Sequence, residues 1–262
     1  MTKNYDEIFQ RAMCDHWWIQ DYVRVVKLSE IEYLTCDRDR RLYNAVVRVS
    51  PTLKNHEAWV NQVMTAHSGR GSEWRLGAPS HSSELERAVL DAGYKIDGLA
   101  DAWSIDVTAP RPASPNDIVV SQVVDIQGIR DMHAIMEVAF TKSKDKSEEA
   151  LQEDLAGCTG EKPRCLRFVA YDKKSGQPLS TGALNLFPGL DLGFMWGGCT
   201  HPDARGRGIY SAMVTRRMEI AKAKGMERLG LYAMRNTSAP IVKAQGFEKH
   251  GPMHFWGMDK TP

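Results

Sequence analysis

Hydrophobic positions along the second half of the chain change period several times, and each change marks an element. Apolar residues crowd positions 118–124, which predicts a strand, and Ile129, Met132, Ile135, Met136 and Ala139 then recur at helical spacing up to residue 140. Residues 141–146 form a polar break. Residues 147–155 read as a second helix, with Ser147 as its N-cap and an acidic first turn. Strands follow over 165–171, 179–187 and 190–200, with Lys173-Lys174-Ser175-Gly176 and Phe187-Pro188-Gly189 as turns. The next helix runs from about 208 to 224, placing Ile209, Met213 and Ile220 on one side and Arg216, Glu219 and Lys222 in solvent, until Gly225 stops it. Leu229, Leu231 and Ala233 alternate with Gly230 and Tyr232 as in a strand. Residues 238–245 suit a short helix closed by Gly246, and the aromatic-rich tail 247–258 supplies final strands.

The first half is less regular. Residues 44–50 and 74–77 read as strands, and 83–92 as a helix capped by Ser82 or Ser83 and ended by Gly93-Tyr94. Between the halves, Pro110, Pro112 and Pro115 lie among small and polar residues that continue neither helix nor central strand. The expected domains are therefore 1–107 and 118–262, joined by a linker over 108–117.

Composition narrows the function classes. The 262 residues are 42% hydrophobic and 26% charged, ordinary for a globular chain of one large or two small domains. Lys and Arg total 34 against 33 Asp and Glu, a net charge of +1, so no global field favours nucleic acid or an anionic membrane. Up to Val107 the count is 13 against 16, or −3; the remainder, 21 against 17, is +4. Five cysteines (Cys14, Cys36, Cys158, Cys165, Cys199) form no C-x-x-C pair, which argues against a disulfide framework and a structural zinc site and fits a reducing compartment. No signal peptide or membrane span is readable, so the expected location is the cytoplasm.

The chemistry concentrates at His201-Pro202-Asp203-Ala204-Arg205-Gly206-Arg207-Gly208-Ile209-Tyr210-Ser211. Two glycines two apart allow a tight turn that presents consecutive N–H groups, and the helix that follows adds unpaired N–H groups and the positive end of its dipole. Arg205 and Arg207 add charge, with one of them expected on phosphate. The turn is thus a candidate pyrophosphate site.

Three linked features resemble the GNAT acyltransferase superfamily. Gly198-Cys199-Thr200-His201-Pro202 resembles the end of the family's fourth strand, Arg205 to Tyr210 its [RQ]-x-x-G-x-[GA] loop, and Ser238 to Phe247 its short helix ending in Gly-Phe. The likeness is clear from about residue 118 onward. It implies an α/β protein with a mixed α+β sheet, and acyl transfer from acetyl-CoA to a small amine-bearing acceptor such as an amino-acid-like metabolite, antibiotic or toxin. It implies a coenzyme site at Gly198, Cys199, Thr200, Arg205, Gly206, Arg207, Gly208, Ile209, Tyr210 and Ser211, with no metal. Monomer and homodimer both fit.

Two positions depart from the family pattern. Tyr210 stands where Gly or Ala is usual, crowding the turn, and Val242 stands where many members carry a tyrosine that protonates the departing thiolate. Asp191 is the nearest acidic residue to the carboxylate-free stretch 192–200, and Ser211 and Tyr232 are candidates for the missing acid. Cys199 is read as a small strand residue allowing close approach rather than a nucleophile, and His201 as a turn residue. Asp145, Glu148, Glu149, Glu153 and Asp154 lie where the family sets acceptor specificity, and Phe194, Trp196, Phe255 and Trp256 could wall an acceptor pocket. The order strand, helix, Gly-Tyr near residue 94 also resembles a degenerate first GNAT copy without a coenzyme loop; an unrelated α+β extension is its alternative. The rival function is a silent acyl-CoA-binding or scaffolding module.

Overall fold

The computed structural model describes residues 3–140 and 147–260. Its contacts divide the chain into two compact units: Met1–Trp103 with Tyr232–Pro262, and Ser104–Leu231. The proline-rich stretch 108–117 thus lies inside the second unit, and the carboxyl-terminal 31 residues, Tyr232–Pro262, group with the first unit instead of following the loop-bearing half.

The first unit contains α1 (Tyr5–Cys14), β1 (Arg24–Lys27), β2 (Ile31–Thr35), β3 (Ala45–Val49), α2 (His56–His67), β4 (Ser72–Gly77), α3 (Ser83–Asp91) and most of β5 (Lys95–Asp106). β1 to β3 pair antiparallel, whereas β3 pairs parallel with β4 across Ala45↔Glu73 and Val46↔Trp74, the crossover being α2. The Ser82 hydroxyl caps α3 by accepting from the Leu85 N–H at 3.1 Å, and Leu85, Ala88 and Val89 turn into the core.

The second unit runs through β6 (Ile118–Gln122), α4 (Ile126–Phe140), α5 (Glu148–Cys158), β7 (Leu166–Asp172), β8 (Pro178–Phe187), β9 (Leu192–Thr200), α6 (Ile209–Ala223) and the start of β10 (Arg228–Met234). Its strand order is β6-β7-β8-β9-β10, antiparallel except for the parallel pair β9–β10 connected by α6. Ser147 caps α5 as expected, accepting from the Ala150 N–H at 3.3 Å. The polar break at 141–146 lies outside the described residues. The strand expected from residue 190 begins at Leu192, because Pro188–Leu190 winds into a 3-10 turn that ends on Asp191 at φ 52°.

From within β10 the chain returns to the first unit with α7 (Ala239–Ala244) and β11 (Glu248–Met258). The tail is one long strand, pairing antiparallel with β4 so that Trp256 stands opposite Trp74. Both indoles are buried, packed with Val46, Leu76, Val60, Val63 and Leu85. In the second unit Val123, Ile129, Met132, Leu151 and Val169 form a corresponding cluster. Along the chain, a parallel strand pair bridged by a helix therefore occurs twice, β3–β4 through α2 and β9–β10 through α6, each followed by a shorter helix and a long strand. The first copy enters α2 without a glycine loop, through Asn55 in the left-handed region at φ 55°.

Candidate functional site

The site begins as an interruption of β9. Parallel pairing with β10 covers Arg228↔Leu192, Leu229↔Gly193 and Gly230↔Phe194 and then stops. From Met195 to Thr200, β9 has a strand partner only on its β8 side among the described residues. There the register jumps: Thr181 faces Cys199 and Ala183 faces Trp196, so Gly197 and Gly198 together stand opposite Gly182. This is a β-bulge, one extra residue that bends the strand and releases ladder bonds. Gly197 occupies φ +58°, which a side chain would strain, and Gly198 is exposed with nothing within 4 Å of where a Cβ would lie. The small residues thus allow a ligand backbone to approach the open edge.

Below the bulge an unexpected cation fills the space that Gly182 leaves. Arg217 of α6 is buried; its Nε donates to the Met213 carbonyl at 2.9 Å and its Nη1 to the Ala183 carbonyl at 3.4 Å. Burial lowers its pKa to about 10. Beside the bulge, the Arg167 guanidinium lies 4.2 Å from the centroid of the Trp196 ring, whose Nε1 donates to Asn185 Oδ1. Arg167 Nη1 is 3.6 Å from the Cβ position of Gly197. No carboxylate pairs with Arg167 among the described residues.

The chain leaves β9 through a 3-10 turn, Pro202–Ala204, where His201 accepts from the Asp203 N–H at 3.3 Å and Ala204 is buried as an anchor. Gly206 at φ 81° and Gly208 at φ 73° then make the reversals that L side chains rarely adopt. Gly208 is the N-cap of α6 and offers no side-chain acceptor. The first bond of that helix runs from the Ala212 N–H to the Gly208 carbonyl. No described group accepts from the backbone N–H groups of Gly206 through Ser211. Six successive donors (206, 207, 208, 209, 210 and 211) at the positive end of a 15-residue helix are a strong anion site.

The charges around the loop are allotted unevenly. Arg207 is turned outward from the loop, its Nη2 2.6 Å from Asp117 Oδ2 and 2.9 Å from Asp172 Oδ2, tying the start of β6 to the end of β7. Its guanidinium holds both carboxyls below the usual carboxylate range. Arg205 is exposed and pairs with no carboxylate among the described residues. A third cation, Arg111 from the proline-rich stretch, donates to Ser211 Oγ at 3.3 Å. Pro115 from the same stretch packs 3.1 Å from the Cβ position of Gly208. Neither neighbour could be read from local sequence.

Tyr210 does not crowd the turn. It lies in the first turn of α6 with ordinary helical backbone, half-buried, and burial raises its phenol pKa. Ile209 is buried and anchors that turn.

Within the second unit, Asp191 is not brought to the loop. Asp191 caps a 3-10 turn at the other end of β9, about 20 Å of strand from Gly197, and its carbonyl accepts from the N–H groups of Glu227 and Arg228. That distance rules out direct proton transfer at the bulge. Tyr232 falls in the other compact unit, its ring 5.3 Å from Phe9 and its pKa raised by burial. Ser211 lies at the loop, in the first turn of α6. Val242 is fully buried in α7.

Among the acceptor-side acids, Asp145 lies outside the described residues, and Glu148 is exposed and pairs with Arg130 at 3.4 Å. Asp154 is joined by a residue the periodicity hid: His133, buried on α4, whose Nε2 lies 2.7 Å from Asp154 Oδ2 while its Nδ1 meets no described partner. Phe194 and Trp196 are half-buried on β9, whereas Trp256 is core of the first unit.

Known proteins resemble this chain in family pattern and in fold. The family model described as Acetyltransferase (GNAT) family matches residues 129–247, which contain β9, the glycine loop and α6. No curated protein matches the chain significantly. Among solved structures, a GCN5-related N-acetyltransferase from Kribbella flavida is 14% identical with a TM-score of 0.66, covering 98% of this chain and 95% of its own. A functionally unknown conserved protein from Staphylococcus epidermidis is 13% identical, TM-score 0.66, over 93% and 96%. A tandem GNAT protein from the clavulanic acid biosynthesis pathway is 10% identical, TM-score 0.60, over 98% and 95%. At such identities the likeness speaks for fold, and it extends across both units. Residues 129–247 thus match the GNAT acetyltransferase family, and the chain as a whole shares the fold of tandem GNAT proteins.

Proposed function

We propose that the chain is an acetyl-CoA-dependent N-acetyltransferase acting on a small amine-bearing molecule by direct acyl transfer. The observation that carries this reading is the run of unpaired N–H groups from Gly206 to Ser211, adjoining the open edge of β9. The residues fit the coenzyme: the glycines leave room, the helix end and Arg205 favour anionic oxygens, and the bulged edge accepts an extended arm as an added strand. When bound, the thioester supplies the acetyl group, which the acceptor's neutral amine takes with loss of a proton as the thiol departs. The loop N–H groups and Arg205 hold the pyrophosphate, and the backbone of Gly198, Cys199 and Thr200 aligns the arm. A β9 N–H beside the bulge donates to the developing oxyanion, worth on the order of 10²–10³ in rate. Arg167, stacked on Trp196 next to Gly197, is placed to hold a carboxylate on the acceptor, which favours an amino-acid-like amine.

A second reading, a silent acyl-CoA-binding module, is favoured by one observation: Val242 gives no proton donor at the position where many relatives carry one. Thiol release from acetyl-CoA across a panel of small amines separates the two. The enzyme reading expects amine-dependent release at least about tenfold above background, abolished by Gly206→Glu, and higher KM for carboxylate-bearing amines in Arg167→Met. Saturable binding without turnover on any amine would establish the silent module.

A further inference from the structure

A second cluster of chemistry lies in the first unit, far in sequence from the glycine loop. His81 follows the 3-10 turn after β4, Glu86 lies in the first half of α3, and His254 lies on β11. One ligand atom from each falls within 4.8 Å of the other two. His81 Nε2 is already 3.0 Å from Glu86 Oε2. The two imidazoles stack at 4.1 Å between centroids, and Trp256 backs them, 5.3 Å from His254 and 6.0 Å from His81. His254 Nδ1 is buried with no hydrogen-bond partner among the described residues, an arrangement that leaves a polar atom unsatisfied unless a ligand meets it.

We infer that His81, Glu86 and His254 bind a divalent first-row transition ion, with Zn2+ the best match. Two imidazoles and a carboxylate are its ordinary ligands, at about 2.0–2.2 Å, which requires ligand atoms roughly 3.3 Å apart in a tetrahedral site. One pair already meets that spacing; the others, within 4.8 Å, close as the stacked imidazoles turn out of parallel so that both ring lone pairs converge on the ion. His81 and Glu86 are partly exposed, at 25% and 31% of their side-chain surface, which leaves an entry path and room for water as a fourth ligand. The ion clips the segment after β4, helix α3 and strand β11 together.

The test is a titration of the chelator-dialysed full chain with Zn2+ against a chromophoric competitor, alongside Co2+ followed by visible absorption. One equivalent is expected, with Co2+ d–d bands and no thiolate charge-transfer band, since the five cysteines take no part. Glu86→Gln and His254→Ala should each weaken binding at least about tenfold, and Zn2+ should raise the melting temperature of the wild type but not of Glu86→Gln. Glu86→Gln keeps side-chain volume at a partly exposed position, so it decides the matter even if His254→Ala does not fold. No binding, a thiolate spectrum, or unchanged affinity in Glu86→Gln would overturn the assignment.

Discussion

Arg205 and Arg207 lie two residues apart in the loop yet carry different electrostatic work. Arg207 is committed to Asp117 and Asp172, whereas Arg205 faces solvent beside the unpaired N–H groups. Arg205→Ala should weaken acetyl-CoA binding about 3- to 10-fold, the deficit shrinking as salt rises, as calorimetry at two ionic strengths would show. Arg207→Ala should leave affinity within about twofold and shift the melting temperature by no more than about 2 °C, because exposed pairs contribute little. His67 gives a residue-scale prediction of another kind. It is buried at the end of α2 between Ser72 Oγ at 2.6 Å and the Leu34 carbonyl at 2.9 Å, and burial lowers its pKa to about 4. Above pH 6.5 it is neutral folded and unfolded. As pH falls from 6.5 towards 4, the unfolded chain takes up the proton and the folded chain does not. Stability should therefore drop across that window, by on the order of 3 kcal/mol in full. Urea melts between pH 7 and pH 4, compared with His67→Gln, would read it: the variant should lose most of that slope.

At the scale of elements, β9 decides what the site can be. Its bulge depends on Gly197 at φ +58°, and Gly197→Val should cost about 1–3 kcal/mol through backbone strain and raise the acetyl-CoA KM, measured by melting and initial rates. The loop, β9 and α6 were legible in the sequence because glycines at 206 and 208 punctuate a clean switch from alternating to helical spacing. The Gly197-Gly198 pair was the available signal for the bulge, but a register shift is visible only with the partner strand in view. β1, β2 and α1 are short and held by tertiary contacts. β5, over Lys95–Asp106, mixes glycine, alanine and aspartate in a pattern of no clear period. The pairing of β11 with β4 joins segments well over half the chain apart, and nothing local encodes it. Arg217 and His133 were hidden for the opposite reason: each sits at a core-facing helical position where the period predicts an apolar side chain. The cations at the loop divide likewise, Arg205 and Arg207 being read from the motif and Arg111 arriving from 100 residues away.

At the scale of the whole molecule, the chain repeats one plan and equips only one copy for an anion. Both copies have a parallel strand pair bridged by a helix that starts from a left-handed residue, Asn55 in the first and Gly208 in the second. Only the second places two left-handed glycines before that helix and leaves consecutive N–H groups unpaired. One equivalent of acetyl-CoA per chain follows, not two. Isothermal titration of acetyl-CoA into the wild type, Gly206→Glu and Gly208→Glu tests this most directly. One saturable site in the wild type and none in either variant, with both variants folded by circular dichroism, is the predicted result. Two equivalents in the wild type, or wild-type affinity in both variants, would contradict it.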